Sequence, residues 1–227
     1  MFEPLRICLV GATGLIGSTL IEMAVGRNDV RIVGVARREM ALPEGARMEM
    51  LLADPSGWDD AIAAANPQVL VCALGTTWRK AGKDETAFRS VDQQLVLACA
   101  RAAKAAGARQ MIVVSSVGAD PLSKNFYLRV KGEVEEGLGK AGLARIDILR
   151  PGLLRGHRAG DRRMAERLAM IFSPVLDLFL HGKYRKYRSI RAETVVQAIF
   201  ALAREKAAGR FAHDYDGMTR AIRRAGG

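Results

Sequence analysis

The stretch Val10-Gly11-Ala12-Thr13-Gly14-Leu15-Ile16-Gly17 decides the fold that we predict for this chain. It follows the apolar run 7–10 and precedes apolar residues at helical spacing, a pattern that indicates a strand, a glycine turn and a helix. The first glycine permits a tight turn, the second lets a diphosphate approach, and the third lets the helix pack closely on the sheet. We therefore predict that a dinucleotide binds at the helix N-terminus, contacting Gly11, Thr13, Gly14, Leu15, Ile16 and Gly17. The spacing differs from the commoner G-x-G-x-x-G, and a plain glycine-rich turn is the alternative.

The second predicted strand, residues 30–36, ends at two adjacent arginines. In dinucleotide folds an acidic residue about 20 positions beyond the glycines binds the adenosine ribose. Here Arg37 stands 20 residues after Gly17, and Arg37 and Arg38 together can grip a 2′-phosphate through bidentate hydrogen bonds. We therefore expect NADP(H) rather than NAD(H) as the cofactor. Two ordinary surface arginines are the alternative.

Short apolar runs and helical patterns alternate along the rest of the chain. Asp54 follows a strand predicted at 47–53, where it can meet the adenine amino group or cap a helix predicted at 55–65. The fourth apolar run, 69–74, ends at Leu74 and is followed by Gly75 and Thr76, on the edge where cofactors of open α/β sheets bind. The later predicted elements are a long crossover helix at 85–106, strands at 111–114 and 144–149, a helix at 193–208 and a basic helix at 218–224.

This order of elements predicts the architecture. Strands separated by helices of this length pair in parallel through right-handed crossovers. The predicted fold is therefore α/β, a Rossmann-type, doubly wound parallel sheet in three layers. We expect residues 1–227 to form a single domain, with 151–190 as a small insertion or lid on the substrate side.

The fifth predicted strand is followed by Ser115 and Ser116, and then by a helix that carries Tyr127 and Lys131. Residues at positions i and i+4 share a helix face, with Cβ atoms roughly 5 to 6 Å apart. An ammonium beside a phenol favours the phenolate, which suits the pair to proton exchange with a carbonyl or alcohol oxygen. A serine hydroxyl at the end of the neighbouring strand can hold the same oxygen. Chance pairs of this spacing occur on many solvated helices, and the position after strand five distinguishes this one.

These motifs resemble the short-chain dehydrogenase/reductase superfamily. The similarity rests on GATGLIG, on SSVG before YLRVK, and on Leu149-Arg150-Pro151-Gly152, and it spans residues 5 to about 200. The runs ALGTTWRKAG, SSVGAD and YLRVKGEVE look most like the atypical branch that includes the Tat-interacting protein type of oxidoreductase. The resemblance implies an NADP(H)-binding Rossmann fold. It implies that Tyr127 is the catalytic acid/base, that Lys131 also holds the nicotinamide ribose, and that Ser116, or Ser115 as a substitute, binds the substrate oxygen.

The sequence departs from that family's pattern at two positions. Ser116 precedes Tyr127 by 11 residues, an interval a little shorter than usual. The asparagine often found in the preceding helix is absent, and Ser90 and Asp92 stand near its place. Both departures bear on the proton relay.

Residues beyond the sixth strand are predicted to form the substrate side. Pro151, Gly152 and Leu154 are expected beside the nicotinamide, and His157 follows in a polar loop, where it either contacts a ligand or faces solvent. The apolar stretch 168–180 is predicted as a helical lid, with peripheral membrane contact as the alternative. Cationic and aromatic residues alternate in 183–188. This pattern fits an edge strand best, a pocket for an anionic substrate less well, and a nucleic-acid surface least well.

Composition narrows the class of protein. The net charge of +11 is uneven, with 19 basic and 17 acidic residues in 1–150 against 16 and 7 in 151–227. Three scattered cysteines indicate buried free thiols rather than a disulfide or metal framework. The sequence has no run of 18 uncharged apolar residues and no signal-peptide pattern, so we expect a cytoplasmic protein without an integral membrane segment.

We therefore expect an NADP(H)-dependent oxidoreductase that acts on a small carbonyl or alcohol, without a metal and without nucleic acid. The substrate is expected to be lipophilic or anionic, and the protein a monomer or a homodimer. Two alternatives remain at this point. One is an NADPH-binding sensor that regulates a protein partner without turnover, and the other is a nucleotide-sugar epimerase or dehydratase with a tightly held cofactor.

Overall fold

The computed structural model describes residues 3–156 and 187–226. The strands of this part of the chain are β1 (Leu5–Val10), β2 (Val30–Ala36), β3 (Glu49–Leu52), β4 (Val69–Cys72), β5 (Gln110–Val114), β6 (Arg145–Leu149), β7 (Leu154–Arg155), β8 (Ile190–Arg191) and β9 (Gly209–His213). Its α-helices are α1 (Leu15–Ala24), α2 (Trp58–Ala65), α3 (Glu85–Arg89), α4 (Val96–Ala105), α5 (Phe126–Leu138), α6 (Ala192–Leu202) and α7 (Tyr215–Ala225). A 3₁₀ turn, Pro55–Gly57, precedes α2, and a π-helical segment, Ser90–Leu95, joins α3 to α4.

Seven of these strands form one sheet in the order β3-β2-β1-β4-β5-β6-β9, and every neighbouring pair is parallel. Strands β7 and β8 form a separate parallel pair. The order and pairing confirm the predicted Rossmann-type, doubly wound α/β fold.

Helices cover both faces of the sheet, because successive side chains of a strand point to opposite faces. In β1, Ile7 and Leu9 join the core beneath α1, α6 and α7, whereas Cys8 and Val10 join the core beneath α2, α4 and α5. A strand buried on both faces needs apolar residues at every position, which explains the continuous apolar runs of the sequence. As expected, Cys8, Cys72 and Cys99 are buried free thiols.

The topology places the predicted site residues on one edge of the sheet. The strand order reverses between β1 and β4, and in such sheets the ligand crevice opens at that point, beyond the carboxyl ends of the strands. Since the strands are parallel, the segments that follow β1, β2, β4, β5 and β6 all start at this edge. Helix α5 follows the loop from β5 and therefore begins there as well.

Two of the predicted helices differ from the structure. The helix predicted at 193–208 ends at Leu202, and Gly209–His213 forms β9, a seventh strand that the sequence analysis missed. Because β9 is a half-exposed edge strand, its sequence GRFAH has no apolar run. The crossover helix predicted at 85–106 is present, but its π-helical segment interrupts the regular spacing.

A buried ionic cluster ties β9 to β6. The Asp147 carboxylate, fully buried in β6, accepts hydrogen bonds from Arg145 at 2.6 and 2.8 Å and from Gln110 at 2.7 Å. It also lies 2.8 Å from His213 Nε2 on β9. Burial opposes ionisation of Asp147, yet the hydrogen bonds from His213, Arg145 and Gln110 hold its pKa below the ordinary value. A buried charge is tolerated where its partners are this complete.

The single domain with an insertion at 151–190 remains a prediction. Most of the expected insertion 151–190 lies outside the described residues, as do the predicted lid at 168–180 and His157. Within the described residues, no helix combines the length and apolar character needed to cross a bilayer.

Candidate active site at the carboxyl edge of the sheet

The glycine turn between β1 and α1 has a geometry that requires glycine. Gly11 has a φ of +90°, and a Cβ at this position would lie 2.5 Å from the Ala73 carbonyl carbon, just beyond β4. A Cβ on Gly17 would collide with the Gly11 backbone, so α1 packs directly against the turn. Gly14 is the N-cap residue of α1, so no side chain caps this helix. The first turn of α1 contains no acidic residue. The N-terminal N–H groups of α1 therefore remain available to an anion.

The other residues predicted at this turn differ in what they can offer. Thr13 is exposed, Leu15 is half-buried at the start of α1, and Ile16 is buried in the core. Ile16 is thus limited to a backbone contact with a ligand.

We expect Gly17→Ala to weaken NADPH binding by about 10- to 100-fold, because the new Cβ must push α1 away from the Gly11 carbonyl. Fluorescence titration of the cofactor measures this change. Ser18→Ala is the matched control, since the Ser18 hydroxyl bonds to the Leu15 carbonyl of its own helix. Binding that survives Gly17→Ala at wild-type strength would show that the ligand does not depend on this turn.

A cavity of about 360 Å³ adjoins the glycine turn. Its walls include both arginines predicted to bind a 2′-phosphate, and the residues that line it are Gly11, Ala12, Thr13, Val35, Ala36, Arg37, Arg38, Glu39, Trp58 and Leu74. Arg37 and Arg38 are exposed, as a ligand phosphate would need. The fold thus brings the end of β2, the glycine turn and the end of β4 together around one space.

Trp58 and Glu39 line this cavity although the sequence analysis gave neither of them a role, whereas Asp54, which it did predict, does not line it. Trp58 forms part of the wall, held by a 2.9 Å hydrogen bond from its indole N–H to the Ala53 carbonyl, and Glu39 lies beside the arginines. Asp54 is exposed at the start of the 3₁₀ turn and its side chain makes no capping bond. A tryptophan within a helical pattern carries no signal that separates a ligand contact from a core residue.

The candidate acid/base pair lies on α5. Tyr127 is 38% exposed, whereas Lys131, one helical turn later, is buried with its ammonium 5.9 Å from the centroid of the Tyr127 ring. The Phe88 ring meets the Tyr127 ring edge to face at a centroid distance of 6.0 Å. Packing on one side therefore fixes the ring, while part of it remains open to solvent.

Lys131 has a second partner, Asp92, to which the sequence analysis gave no role. The Lys131 ammonium lies 2.8 Å from Asp92 Oδ1, and the two side chains are 7% and 1% exposed. Asp92 Oδ2 accepts a 2.7 Å hydrogen bond from the backbone N–H of Thr76, beyond β4. Burial opposes the charge on Lys131, but Asp92, with a smaller contribution from Tyr127, raises the pKa of Lys131 above its ordinary value.

The two candidate serines have different environments. Ser115 is buried, and its hydroxyl donates a 2.6 Å hydrogen bond to Glu135, whose carboxylate is also held by Arg150. Side chains alternate along a strand, and Ser115 follows Val113 onto the α5 side of the sheet. The Ser115 hydroxyl thus already has a carboxylate partner, and its predicted role as the substitute oxygen-binding residue stays a prediction. Ser116 is half-buried, and within the described part of the chain its Oγ makes only a long contact, 3.3 Å, with the Val117 carbonyl.

The segment after β6 closes on the same edge. The Pro151 carbonyl accepts a 3.0 Å hydrogen bond from the Val117 N–H, which links this segment to the loop after β5. Gly152 packs against the backbone of Tyr187 and Arg188, leaving no space for a side chain. Leu154 is half-buried in β7, beside β8. The basic stretch predicted at 183–188 is described only at its last two residues, which are not in a strand.

Sequence comparison identifies the family. A family model described as NAD(P)H-binding matches residues 11–171. The protein named fmp52, mitochondrial, from Emericella nidulans is 34% identical over 178 residues, covering 75% of this chain and 76% of the relative. The protein of the same name from Saccharomyces cerevisiae is 35% identical over 158 residues, covering 68% of each chain.

These names contradict the cytoplasmic location that we expected. The relatives are named as mitochondrial proteins, and the composition could not reveal this, because buried thiols and short apolar runs do not distinguish one reducing compartment from another.

Solved structures share the fold at low sequence identity. The structure of MoeE5 in complex with UDP-glucuronic acid and NAD matches with a TM-score of 0.69 and 17% identity, over 92% of this chain and 75% of that one. The Bordetella bronchiseptica enzyme WbmG in complex with NAD and UDP matches with a TM-score of 0.67 and 15% identity, over 98% and 79%. At such identities the likeness establishes the architecture alone.

Proposed function

This chain belongs to the NAD(P)H-binding family of atypical, short-chain dehydrogenase/reductase-like proteins, and on that premise we propose that it is an NADP(H)-dependent oxidoreductase for a small carbonyl or alcohol substrate. One observation carries the proposal. The exposed Tyr127 phenol and the buried Lys131 ammonium lie on one helix that begins at the same sheet edge as the glycine turn. General acid–base catalysis requires a proton donor and a group that stabilises its charged form, and this pair can supply both.

The residues at the glycine turn fit a dinucleotide phosphate. The uncapped N-terminus of α1 offers backbone N–H groups without a competing carboxylate in its first turn. The adjoining cavity opens between the turn and the two arginines, so it can hold an adenosine and a 2′-phosphate at once. We propose that Leu74, Gly75, Thr76, Pro151, Gly152 and Leu154 line the remainder of the cofactor site.

In the proposed mechanism the protein supplies proton transfer and orientation. A bound nicotinamide supplies the hydride when the carbonyl is reduced. The Tyr127 hydroxyl donates a proton to the carbonyl oxygen, and the reverse transfer serves alcohol oxidation. Ser116 holds that oxygen by a hydrogen bond, and Lys131 stabilises the negative charge that forms on Tyr127. The Phe88 contact keeps the Tyr127 ring in place while this happens.

Turnover is the first test. NADPH oxidation is measured against a panel of aldehydes and ketones that includes lipophilic and anionic compounds. Substrate-dependent oxidation supports the proposal, and its absence from the whole panel would reject it.

We expect the wild-type protein to bind NADPH about 10- to 100-fold more tightly than NADH, because each arginine–phosphate hydrogen bond is charge-assisted. Replacing both Arg37 and Arg38 with alanine should abolish this preference in parallel titrations of the two cofactors. Glu39→Gln is the control, since it changes a charge in the same cavity without removing an arginine. Tighter binding of NADH by the wild type would refute the assignment.

One observation favours a second candidate function. Two polar side chains of the candidate site already have partners within the protein. The Ser115 hydroxyl is bonded to Glu135, and the Lys131 ammonium is paired with Asp92. A protein that binds NADPH and signals its presence to a partner, without turnover, would tolerate this. Tight NADPH binding combined with no turnover over the carbonyl panel would favour this candidate. Oxidised cofactor that copurifies with the protein would instead favour an epimerase or dehydratase.

A further inference from the structure

The rings of Trp78, Phe88, Phe126 and Tyr127 form an aromatic cluster beside the candidate acid/base pair. The Phe88 ring is fully buried, and its centroid lies 6.3 Å from that of Trp78 and 6.0 Å from that of Tyr127. Phe126 lies 5.2 Å from Trp78 and 5.5 Å from Phe88. Trp78 and Tyr127 thus share one buried neighbour, which places the indole close to the phenol of the proposed proton transfer.

The two outer rings of the aromatic cluster are open to solvent. Trp78 is 40% exposed, about as much as Tyr127. The Phe126 ring, by contrast, is half-buried, with the guanidinium carbons of Arg89 and Arg129 5.5 and 5.7 Å from its centroid. The exposed part of an indole adds nothing to the packing of a fold, whereas ligand sites are lined predominantly by apolar and aromatic side chains. The Trp78 ring is therefore available to a ligand that also reaches Tyr127.

The turn that carries Trp78 is held by its own backbone hydrogen bonds. It comprises residues 78–83 and follows β4 at the carboxyl edge of the sheet. The Lys83 N–H donates to the Trp78 carbonyl at 2.9 Å, and the Ala81 N–H donates to the Thr77 carbonyl, also at 2.9 Å. Lys83 has a φ of +61°, a left-handed conformation that residues other than glycine seldom adopt. The indole is thus presented by a defined turn.

We propose that Trp78 is a specificity-determining residue of the substrate site, whose exposed indole receives the aromatic ring of an aryl aldehyde or ketone while the carbonyl group reaches the Tyr127 hydroxyl. The inference rests on the proposed function and names the substrate class for the same site. Trp78 takes no part in the proton transfer, and it selects the compound that is placed before Tyr127.

The chemistry of the indole favours an aromatic partner over an aliphatic one of the same size. Both partners bury apolar surface, but two aromatic rings also attract each other in offset or edge-to-face arrangements, which adds about two- to tenfold in affinity. The rings of the aromatic cluster already meet in this way, since Trp78 is tilted against Phe88 and Tyr127 meets Phe88 edge to face. An aryl carbonyl compound extends the arrangement by one ring.

A binding experiment on the complex with NADPH tests the proposal without turnover. The probes are benzyl alcohol and cyclohexylmethanol, which have the same number of carbon atoms and differ in the aromatic ring, and an alcohol cannot be oxidised by a reduced cofactor. The chain contains two tryptophans, so NMR of nitrogen-labelled protein identifies the Trp78 indole signal by its loss in Trp78→Leu. The buried Trp58 indole is the internal reference.

We expect benzyl alcohol to shift the Trp78 signal, to leave the Trp58 signal in place, and to bind about two- to tenfold more tightly than cyclohexylmethanol. A Trp78 signal that benzyl alcohol leaves unchanged would overturn the proposal, and so would equal affinities for the two probes.

Two substitutions at this position separate the aromatic face from apolar bulk. Trp78→Phe keeps a ring, whereas Trp78→Leu keeps an apolar side chain without one. The affinities of both variants for the two alcohols are measured from the backbone amide signals of α5, and an NADPH titration checks that the variants are folded. We expect Trp78→Leu to lose the preference for benzyl alcohol and Trp78→Phe to retain most of it. A preference that survives in Trp78→Leu would overturn the proposal.

Val25→Ala is the matched control for the loss of exposed apolar surface. Val25 is 37% exposed, nearly as much as Trp78, but it follows the C-terminal end of α1 at the opposite edge of the sheet. The variant should bind both alcohols as the wild type does, and a loss equal to that of Trp78→Leu would overturn the proposal.

The proposed function and this inference fail in different measurements. The binding experiments need no turnover, so failure of the proposed function appears in the carbonyl panel alone. We expect kcat/KM for benzaldehyde to exceed that for cyclohexanecarbaldehyde by about two- to tenfold, a ratio that Trp78→Leu abolishes. Equal turnover of both aldehydes by the wild type would support the oxidoreductase and overturn the role of Trp78.

Discussion

Tyr127→Phe should bind NADPH as tightly as the wild type and lose about 100- to 10,000-fold in kcat for any carbonyl substrate, which is the range that general acid catalysis contributes. The change removes one oxygen from a ring whose packing against Phe88 is unaffected. Steady-state kinetics combined with cofactor titration separates the two effects.

Tyr215→Phe is the control for this experiment, because it makes the same chemical change on a different helix, α7. Its kcat should match the wild type. A Tyr127→Phe protein that retains full turnover would show that another group delivers the proton.

Asp147→Ala is expected to lower the free energy of unfolding by about 3–5 kcal/mol, because it leaves the Arg145 guanidinium buried without its carboxylate. The variant also frees His213 and Gln110, which hold β9 and β5 to the same carboxylate. Urea denaturation measures the loss.

Asp29→Ala is the contrasting control, since Asp29 pairs with Arg27 and Arg204 at the exposed surface, where such pairs contribute about 0–1 kcal/mol. A similar loss in both variants would contradict the importance given to burial.

The pH dependence of this stabilisation has a definite sign. The pKa of Asp147 is lowered in the folded state, so its contribution is present above the ordinary value of 3.8 and is lost as pH falls below it. The difference between wild type and Asp147→Ala should therefore shrink as the pH falls below 3.8.

Much of the fold was predictable because its signals are local. The apolar run 30–36 and the residues of β2 coincide, and Gly11 has the positive φ that a tight turn at the strand exit requires. Parallel strands buried on both faces make such runs conspicuous. Strand β9 lacked that signal, since an edge strand that Asp147 contacts through His213 and Arg145 through the Phe211 ring needs few apolar residues.

The candidate site was predictable to a smaller extent, because its geometry depends on contacts distant in sequence. Helical spacing alone placed Tyr127 beside Lys131, but it gave no sign that Lys131 is held by Asp92, 39 positions earlier. The exit of β5 offered two adjacent serines, and the sequence could not tell which hydroxyl is engaged by Glu135. A buried acid within an apolar helical pattern, such as Asp92, is the one signal that could have been given more weight.

A cocrystal structure with NADP⁺ tests the central claim most directly. The account predicts the diphosphate at the N-terminus of α1, the 2′-phosphate between Arg37 and Arg38, and the nicotinamide ring facing the Tyr127 hydroxyl. A dinucleotide bound elsewhere, or with its nicotinamide turned away from Tyr127, would contradict it.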